Sequence, residues 1–267
     1  EPQSYEFSTV GGWVATRSAG QRSTGVGKID DLVAGLEVAT PAGLWSLPPM
    51  PASAAGPELR RLLIGSEGRL GVVTAATVRV RPLPRREEGT TVLFSSWEEG
   101  LEACRALLQS GVAIEVLRLS DASETSFGAS LLELPAVTRA VSRVVLARRR
   151  FRNACALLLG WTGTGEEIAA ASARAAEAWR KVGGMAVGGS GWRRWRAERF
   201  RHPYLRDALL DGGWGIDTFE TAATWSLLPG VVPAVRTALA GAASAMSLRI
   251  AVLCHLSHGY RDGASLY

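Results

Sequence analysis

The chain has 267 residues, 47% of them hydrophobic and 21% charged, with 30 Lys and Arg against 25 Asp and Glu and a formal net charge of +5. This composition is globular, with apolar surface enough for a core, and it excludes a disordered chain. Cys104, Cys155 and Cys254 lie far apart with no CxxC, which speaks against a disulfide framework and a metal site, and no apolar run reaches the roughly 20 residues of a membrane span. No secretory signal is visible, so the cysteine usage leads us to expect a reducing, cytoplasmic compartment.

The basic residues gather in two runs, Arg148, Arg149, Arg150 and Arg152, then Arg193, Arg194, Arg196, Arg199 and Arg201. A solvated face is the plain reading; a patch for a membrane or an anionic substrate is the sharper one. No aromatic-rich binding motif accompanies them, so no nucleic acid is expected as a partner.

In chain order, residues 1–30 read as a glycine- and hydroxyl-rich structured loop. A strand over Asp31–Thr40, a turn at Pro41-Ala42-Gly43 and a return strand to Leu47 follow. Residues 48–57 hold Pro48, Pro49, Pro51 and Pro57 and read as surface loop. A short helix over Glu58–Ile64 leads into a strand over Val72–Arg81, whose alternation sets Val72, Thr74, Ala76, Val78 and Val80 on one face and Arg79 and Arg81 on the other. Pro82, Pro84 and the charged group Arg85-Arg86-Glu87-Glu88 mark a boundary, giving units of 1–84 and 85–267.

Beyond it, Trp97–Gly111 is an amphipathic helix with Leu101, Cys104 and Leu108 on one face and Gly111 as its stop. Strands are expected at Ala113–Leu119, Ala154–Trp161 and Leu248–Leu256. Helices are expected at Gly165–Val182, capped by Thr164 and ended by Gly183-Gly184, and at Val232–Ala243. No parallel-crossover regularity appears, so an α+β unit, an antiparallel sheet with covering helices, is the natural architecture.

The glycine-rich stretch Ser8–Gly20 and the segment Gly65-Ser66-Glu67-Gly68-Arg69-Leu70-Gly71 carry the chemistry. Paired glycines let backbone approach a flat or phosphorylated ligand, and consecutive amides beside hydroxyls form an anion-binding concavity. Neither is a Walker loop or a GxGxxG fingerprint. Taken singly, each reads equally as tight turns.

Together they resemble a known family. Glu1-Pro2-x-Ser4-x-Glu6-Phe7-Ser8-Thr9-Val10-Gly11-Gly12-Trp13-Val14-x-Thr16-Arg17 is similar to the flavin loop of the alkyldihydroxyacetonephosphate synthases, FAD-linked oxidases of the vanillyl-alcohol oxidase fold. Ile29-x-Asp31-Leu32-Val33, Thr40-Pro41-x-Gly43, Gly65-Ser66-Glu67-Gly68-x-Leu70-Gly71-Val72 and Arg79-x-Arg81-Pro82 follow in order. Leu117-Arg118-Leu119-x-Asp121, Leu205-Arg206-Asp207, Phe219-Glu220-Thr221 and Tyr260-x-x-Gly263-Ala264-x-x-Tyr267 extend the resemblance across nearly the whole chain.

The resemblance implies the second half of a PCMH-type FAD-binding domain followed by a substrate-binding cap. It implies FAD as cofactor, lined by Gln3, Ser4, Tyr5, Glu6, Phe7, Ser8 and Thr9, by Gly11 and Gly12, by Thr16, Arg17, Ser18 and Ala19, and by Glu67, Gly68, Arg69, Leu70, Gly71, Val72 and Val73. It implies Arg118 as a residue needed for activity and Arg206 as the grip on a small anionic substrate, phosphate or carboxylate, since a guanidinium binds either bidentately. It implies Tyr267 as proton donor and acceptor, a task suited to a phenol whose pKa neighbouring positive charge has lowered. The plain alternatives are a strand arginine in a salt bridge for Arg118, a helix-surface arginine pairing with Asp207 for Arg206, and an ordinary aromatic beside the sheet for Tyr267. His255 and His258 are minor candidates as bases.

The family also carries an earlier half-domain with a diphosphate loop and a histidine cluster after the tyrosine. Neither lies within these residues, so the chain reads as a piece of a longer protein. In the synthases a substrate carbon bonds to flavin N5 as an acyl group leaves, and a fatty alcohol replaces it. The competing expectations are an FAD-dependent 2-hydroxy-acid dehydrogenase or oxidase and a non-catalytic truncated product. Peripheral membrane contact and a homodimer are both left open.

Overall fold

A computed structural model of the chain describes residues 2–51, 53–131 and 151–267; Arg148, Arg149 and Arg150 lie outside the described residues. The first thirty residues, expected as loop, carry a 3-10 turn at Tyr5–Phe7 and the short helices α1 (Val10–Ala15), α2 (Ser23–Val26) and α3 (Ile29–Leu32). Local caps specify them: Thr9 Oγ1 accepts from Gly12 N at 3.0 Å, and Asp31 Oδ2 accepts from Lys28 N at 2.9 Å. Helices of one turn are too short to display a 3.6-residue period.

Because Ile29–Leu32 is helical, the first strand starts later than expected: β1 runs Val33–Thr40 and returns through β2 (Gly43–Leu47), with Gly43 at φ +118° in the turn. Helix α4 (Leu59–Leu63) precedes β3 (Val72–Val78), and the sheet order is β2-β1-β3. Val14, Ile29, Val33, Leu36, Val38, Leu63 and Ile64 form its core.

The expected alternation along β3 is overturned. Val73 and Ala76 pack on this core, while Val72 is exposed. Val73 pairs with Val38 and Ala75 with Glu37, so Thr74 is an extra residue opposite one bond of β1. Such a bulge shifts the side-chain phase by one, and a strictly period-2 reading puts the wrong side inward beyond it. Residues 79–85 then run without regular structure to β4 (Arg86–Phe94). The charged group Arg86-Glu87-Glu88, expected at a boundary, opens a central strand.

The second unit continues with α5 (Trp97–Gln109), β5 (Val116–Ser120), α6 (Ala122–Ser130), β6 (Cys155–Gly163), α7 (Gly165–Lys181), β7 (Met185–Gly188), α8 (Ser190–Glu198), α9 (His202–Asp211), β8 (Thr221–Thr224), α10 (Leu228–Ala245), β9 (His255–Gly259) and β10 (Gly263–Leu266). The strands form one sheet, ordered β7-β4-β6-β5-β9-β10-β8, antiparallel at every pairing. The strand expected from Leu248 begins only at His255, since Leu248–Cys254 carries no ladder bonds. Thr164 caps α7 reciprocally: its hydroxyl accepts from Glu167 N at 3.3 Å, and the Glu167 carboxylate accepts from Thr164 N at 2.7 Å.

The two faces of this sheet differ. One carries Val92, Phe94, Leu117, Leu119, Leu157, Leu159 and Leu256, packed beneath α5, α7 and α10 around Leu107, Trp179 and Leu228. Each such side chain contributes about 1.5–3 kcal/mol on burial. The other face carries Gly89, Val116, Arg118, Leu158 and Gly160, the alternate positions. Trp192 and Trp195 of α8 stack at 5.0 Å between centroids and lie on this second face. A Cβ on Gly160 would come within 2.2 Å of the Trp192 ring, and one on Gly89 within 2.4 Å. The glycines therefore make the slot that the indole fills.

Replacing Gly160 by Ala should cost about 1–3 kcal/mol in a urea titration, because the indole must lift from the sheet. Gly128→Ala in α6, where no heavy atom lies within 4 Å of the new Cβ, should instead be neutral or stabilising by about 0.5–1 kcal/mol.

Candidate active site

The first unit presses on the second sheet face. Helix α2 meets β5 and β9, and Gly25 permits the approach, since a Cβ there would sit 2.6 Å from Glu115 Cα. Arg22 holds Glu87 bidentately at 3.0 and 2.8 Å, and Arg196 of α8 reaches the same carboxylate at 2.7 Å. Hydrogen bonding to Arg22, then the charges of both arginines, outweigh burial and keep Glu87 below the usual carboxylate range.

Beneath this contact the sheet gathers its chemistry. Arg118 and Ser120 share a face of β5, and Ser120 pairs with His255 on β9. Tyr267 and His255 exchange both backbone bonds, at 2.9 and 3.1 Å, which sets their rings side by side, 5.0 Å apart and 7° from parallel. In a regular strand His258 would face the opposite side. A bulge intervenes: Ser265 pairs with Ser257 and Ala264 with Gly259, and His258 adopts φ +51°. Its ring thereby meets Tyr267 edge-on at 5.7 Å.

Glu124 joins the cluster from α6. Asp121 caps that helix, accepting from Glu124 N at 2.7 Å, and is itself ion-paired with Arg236 of α10. Glu124 Oε1 lies 2.8 Å from Arg118 Nη2 and 3.0 Å from His255 Nδ1. Burial opposes its charge, but hydrogen bonding to His255 and the charge of Arg118 prevail and hold it at about 2. Two groups compete for His255 Nδ1: Glu124 Oε1 at 3.0 Å can only accept and Arg118 Nη2 at 3.2 Å can only donate. The shorter contact assigns the proton to Nδ1 and the lone pair to Nε2, with Arg118 directed to Glu124. Burial, then Arg118, lower the His255 pKa, and burial takes His258 down to about 4. Both imidazoles are neutral at pH 7.

Tyr267 departs from expectation. Burial, then hydrogen bonding to Glu220, push its phenol above the usual tyrosine range, outweighing Arg118. It is a proton donor held in its neutral form, not an activated phenolate. Arg206 also stands apart: it lies on the exposed side of α9 and its Nε and Nη2 are both 3.4 Å from Asp207. This is the helix-surface arrangement, away from the Arg118 hydrogen bonds.

The residues expected to line a cofactor fall on one side of the first unit. The two glycine-rich segments lie together: Gly65 N donates to Val14 O at 3.0 Å and Glu67 N to Ala15 O at 2.9 Å. Glu67, Gly68 and Gly71 take positive φ, and Glu67, Gly68, Arg69, Leu70 and Val72 remain exposed. Val73 is turned into the core beside Gly11. Thr16 Oγ1 and Ser18 Oγ are 2.9 Å apart at the rim, and Arg17 pairs with Asp30 at 2.8 Å. Ser4, Ser8 and Trp13 form a chain in which Trp13 Nε1 donates to Ser8 Oγ at 2.7 Å and Ser8 Oγ to Ser4 O at 2.8 Å. Gln3 sits in the turn just before it, and Gly12 and Ala19 are half-buried. Tyr5, Glu6 and Phe7 turn instead toward the cap: Tyr204 donates to Glu6 at 2.6 Å, Tyr5 packs on Phe200 at 4.6 Å and Phe7 on Tyr204 at 6.2 Å.

This donor set fits a dinucleotide: open glycine turns and hydroxyls face one seam, and the buried His258 Nδ1, Glu124 Oε2 and Gln21 amide have no hydrogen-bond partner among the described residues. Sequence reasoning missed Glu124, whose signal was its place three residues after the helix-capping Asp121, and the Arg22–Glu87 tie, which has no local signal.

Acid should weaken the fold through two groups. Glu124, at about 2 against an ordinary value of 4.5, contributes stability that is complete above 4.5 and lost toward 2. His258, at about 4 against 6.5, contributes stability complete above 6.5 and lost as pH falls through 4. Urea midpoints should therefore fall from neutral pH downward, and His258→Gln should flatten the upper part of that slope. In a second test, Glu124→Gln should depopulate the Nδ1–H tautomer of His255 and lower its pKa, read by side-chain 15N resonances. An unchanged tautomer in a folded variant would refute the assigned role.

Comparison with known proteins agrees in kind. The family model described as FAD linked oxidases, C-terminal domain, matches residues 83–267, and one described as FAD binding domain matches residues 1–46. Alkyldihydroxyacetonephosphate synthase of Dictyostelium discoideum is 28% identical over all of this chain and 45% of its own length, and that of Caenorhabditis elegans is 29% identical over all of this chain and 47% of its own. A solved structure of an alkyldihydroxyacetonephosphate synthase superposes with a TM-score of 0.83 at 27% identity, covering all of this chain and 49% of that one. The chain spans about half the length of the curated relatives it matches.

Proposed function

Because this chain belongs to the FAD linked oxidases, with FAD as its cofactor, we propose that it forms the substrate-side wall of an active site, with the flavin held between the glycine seam and the polar face of the cap sheet. The observation that carries this reading is the convergence of Arg118, Glu124, His255, His258 and Tyr267 on the one sheet face against which the first unit is pressed.

The reaction we infer is alkylglycerone-phosphate-synthase-like, exchange of an acyl for an alkyl group on a phosphorylated keto substrate. Similarity along the whole chain to synthases bearing that name supports it. When bound, FAD supplies the electrophilic and electron-accepting ring that side chains lack. The protein's part is orientation and proton handling. Arg118, tethered by Glu124, presents a fixed positive charge to an anionic or carbonyl oxygen. His255 Nε2 and the His258 imidazole are neutral acceptors, while the Tyr267 hydroxyl is a neutral donor to a leaving oxygen. Glu124 stays ionised throughout and keeps the histidine tautomer.

Titrating the purified chain with FAD, followed by flavin fluorescence and visible spectrum, should show saturable one-to-one binding. A folded chain that never binds FAD would sink the claim that this half-site works alone and make the diphosphate-loop half-domain indispensable. In the bound form, lasting bleaching by a 2-hydroxy acid would replace the synthase reaction with a dehydrogenase one. Arg118→Ala should reduce turnover by about 100-fold or more, the scale of a lost charge-stabilising donor, with FAD affinity little changed.

A further inference from the structure

The second arginine run has no part in the site just described, and the structure divides it. Arg194 turns away to pair with Glu198 at 2.9 Å. Arg193, Arg196 and Arg199, spaced by three along α8 and its C-cap, line a cavity of about 880 Å³ with Arg22, Glu87 and Glu88. Arg22 also reaches Glu115 at 3.8 Å, and Arg199 lies over the Trp195 and Phe200 rings, so both are engaged elsewhere. Glu87 is already engaged by Arg22 and Arg196, at 2.8 and 2.7 Å. The Arg193 guanidinium makes no hydrogen bond or ion pair with a described residue; its backbone N donates to Gly189 O at 3.0 Å. The helix that carries these groups is rigidly seated, with Trp192 in its glycine slot and Trp195 stacked on it.

We propose that this cavity is an oxyanion site, in which Arg193 and Arg196 grip a phosphate or carboxylate. Glu87 shows the geometry: a carboxylate inside the chain already sits between two guanidinium groups, one of them bidentate, the arrangement that a ligand oxyanion would meet. Surplus positive charge beside an apolar indole wall favours a dianion over the water it displaces.

The test is calorimetric titration of the full chain, without FAD, by inorganic phosphate and separately by acetate. Saturable one-to-one binding is expected for wild type. Arg193→Ala should weaken it by about tenfold, the scale of one charge-assisted contact, and Arg193→Glu should abolish it, with circular dichroism showing the fold retained. Arg194→Ala and Arg206→Ala should bind as wild type does. Absence of saturable heat at millimolar phosphate and acetate, or binding indifferent to Arg193, would overturn the site. Phosphate binding by a chain that takes up no FAD would uphold the oxyanion site independently of the cofactor half-site, so the two failures are distinguishable.

Discussion

Glu87 is shared by Arg22 from the first unit and Arg196 from α8, and it stands on the second strand of the cap sheet's order. One carboxylate thereby ties together the flavin-side unit, the sheet and the helix that roofs half of it. Arg22 and Glu87 are mostly shielded from water, at 19% and 15% exposure, so separating them leaves a partly buried charge uncompensated, whereas Arg196 is 56% exposed. Everything placed on that sheet face, from the Trp192 slot to the histidine cluster, presupposes this closure. Without it α2 would not reach β5, and the polar side chains would face solvent.

Closure also sets the chemistry. Covered by the first unit, the imidazoles lose their tendency to charge and the phenol its tendency to ionise. Only Glu124 keeps its charge, because it has both Arg118 and the His255 proton to balance it. The result is an Arg118–Glu124 ion pair fixed beside two neutral imidazoles and a neutral phenol. This suits a site whose protein groups steer protons while a bound cofactor carries electrons.

Much of this was legible in the sequence where the signal is local. The Thr164 cap announced α7 and the amphipathic pattern announced α5; the two glycine segments, ambiguous as local signals, were joined only by the family resemblance. What escaped was set by distant partners. Strand β4 was hidden because its opening residues are charged, and their partners Arg22 and Arg196 lie 65 and more than 100 positions away. The inward phase of β3 and the facing of His258 each depend on a bulge, which alternation cannot foresee. Tyr267 was expected among positive charges; burial first, then Glu220 from the segment before β8, outweigh Arg118.

The bulge at His258 implies an unusual pattern of tolerance. Between Leu256 and Ala264 the number of residues matters as much as their identity. Losing Gly259 would pair His258 with Ala264, restore a regular ladder and swing the imidazole into the apolar layer, with composition nearly unchanged. The length of this hairpin is therefore as much a part of the site's chemistry as the histidine it carries.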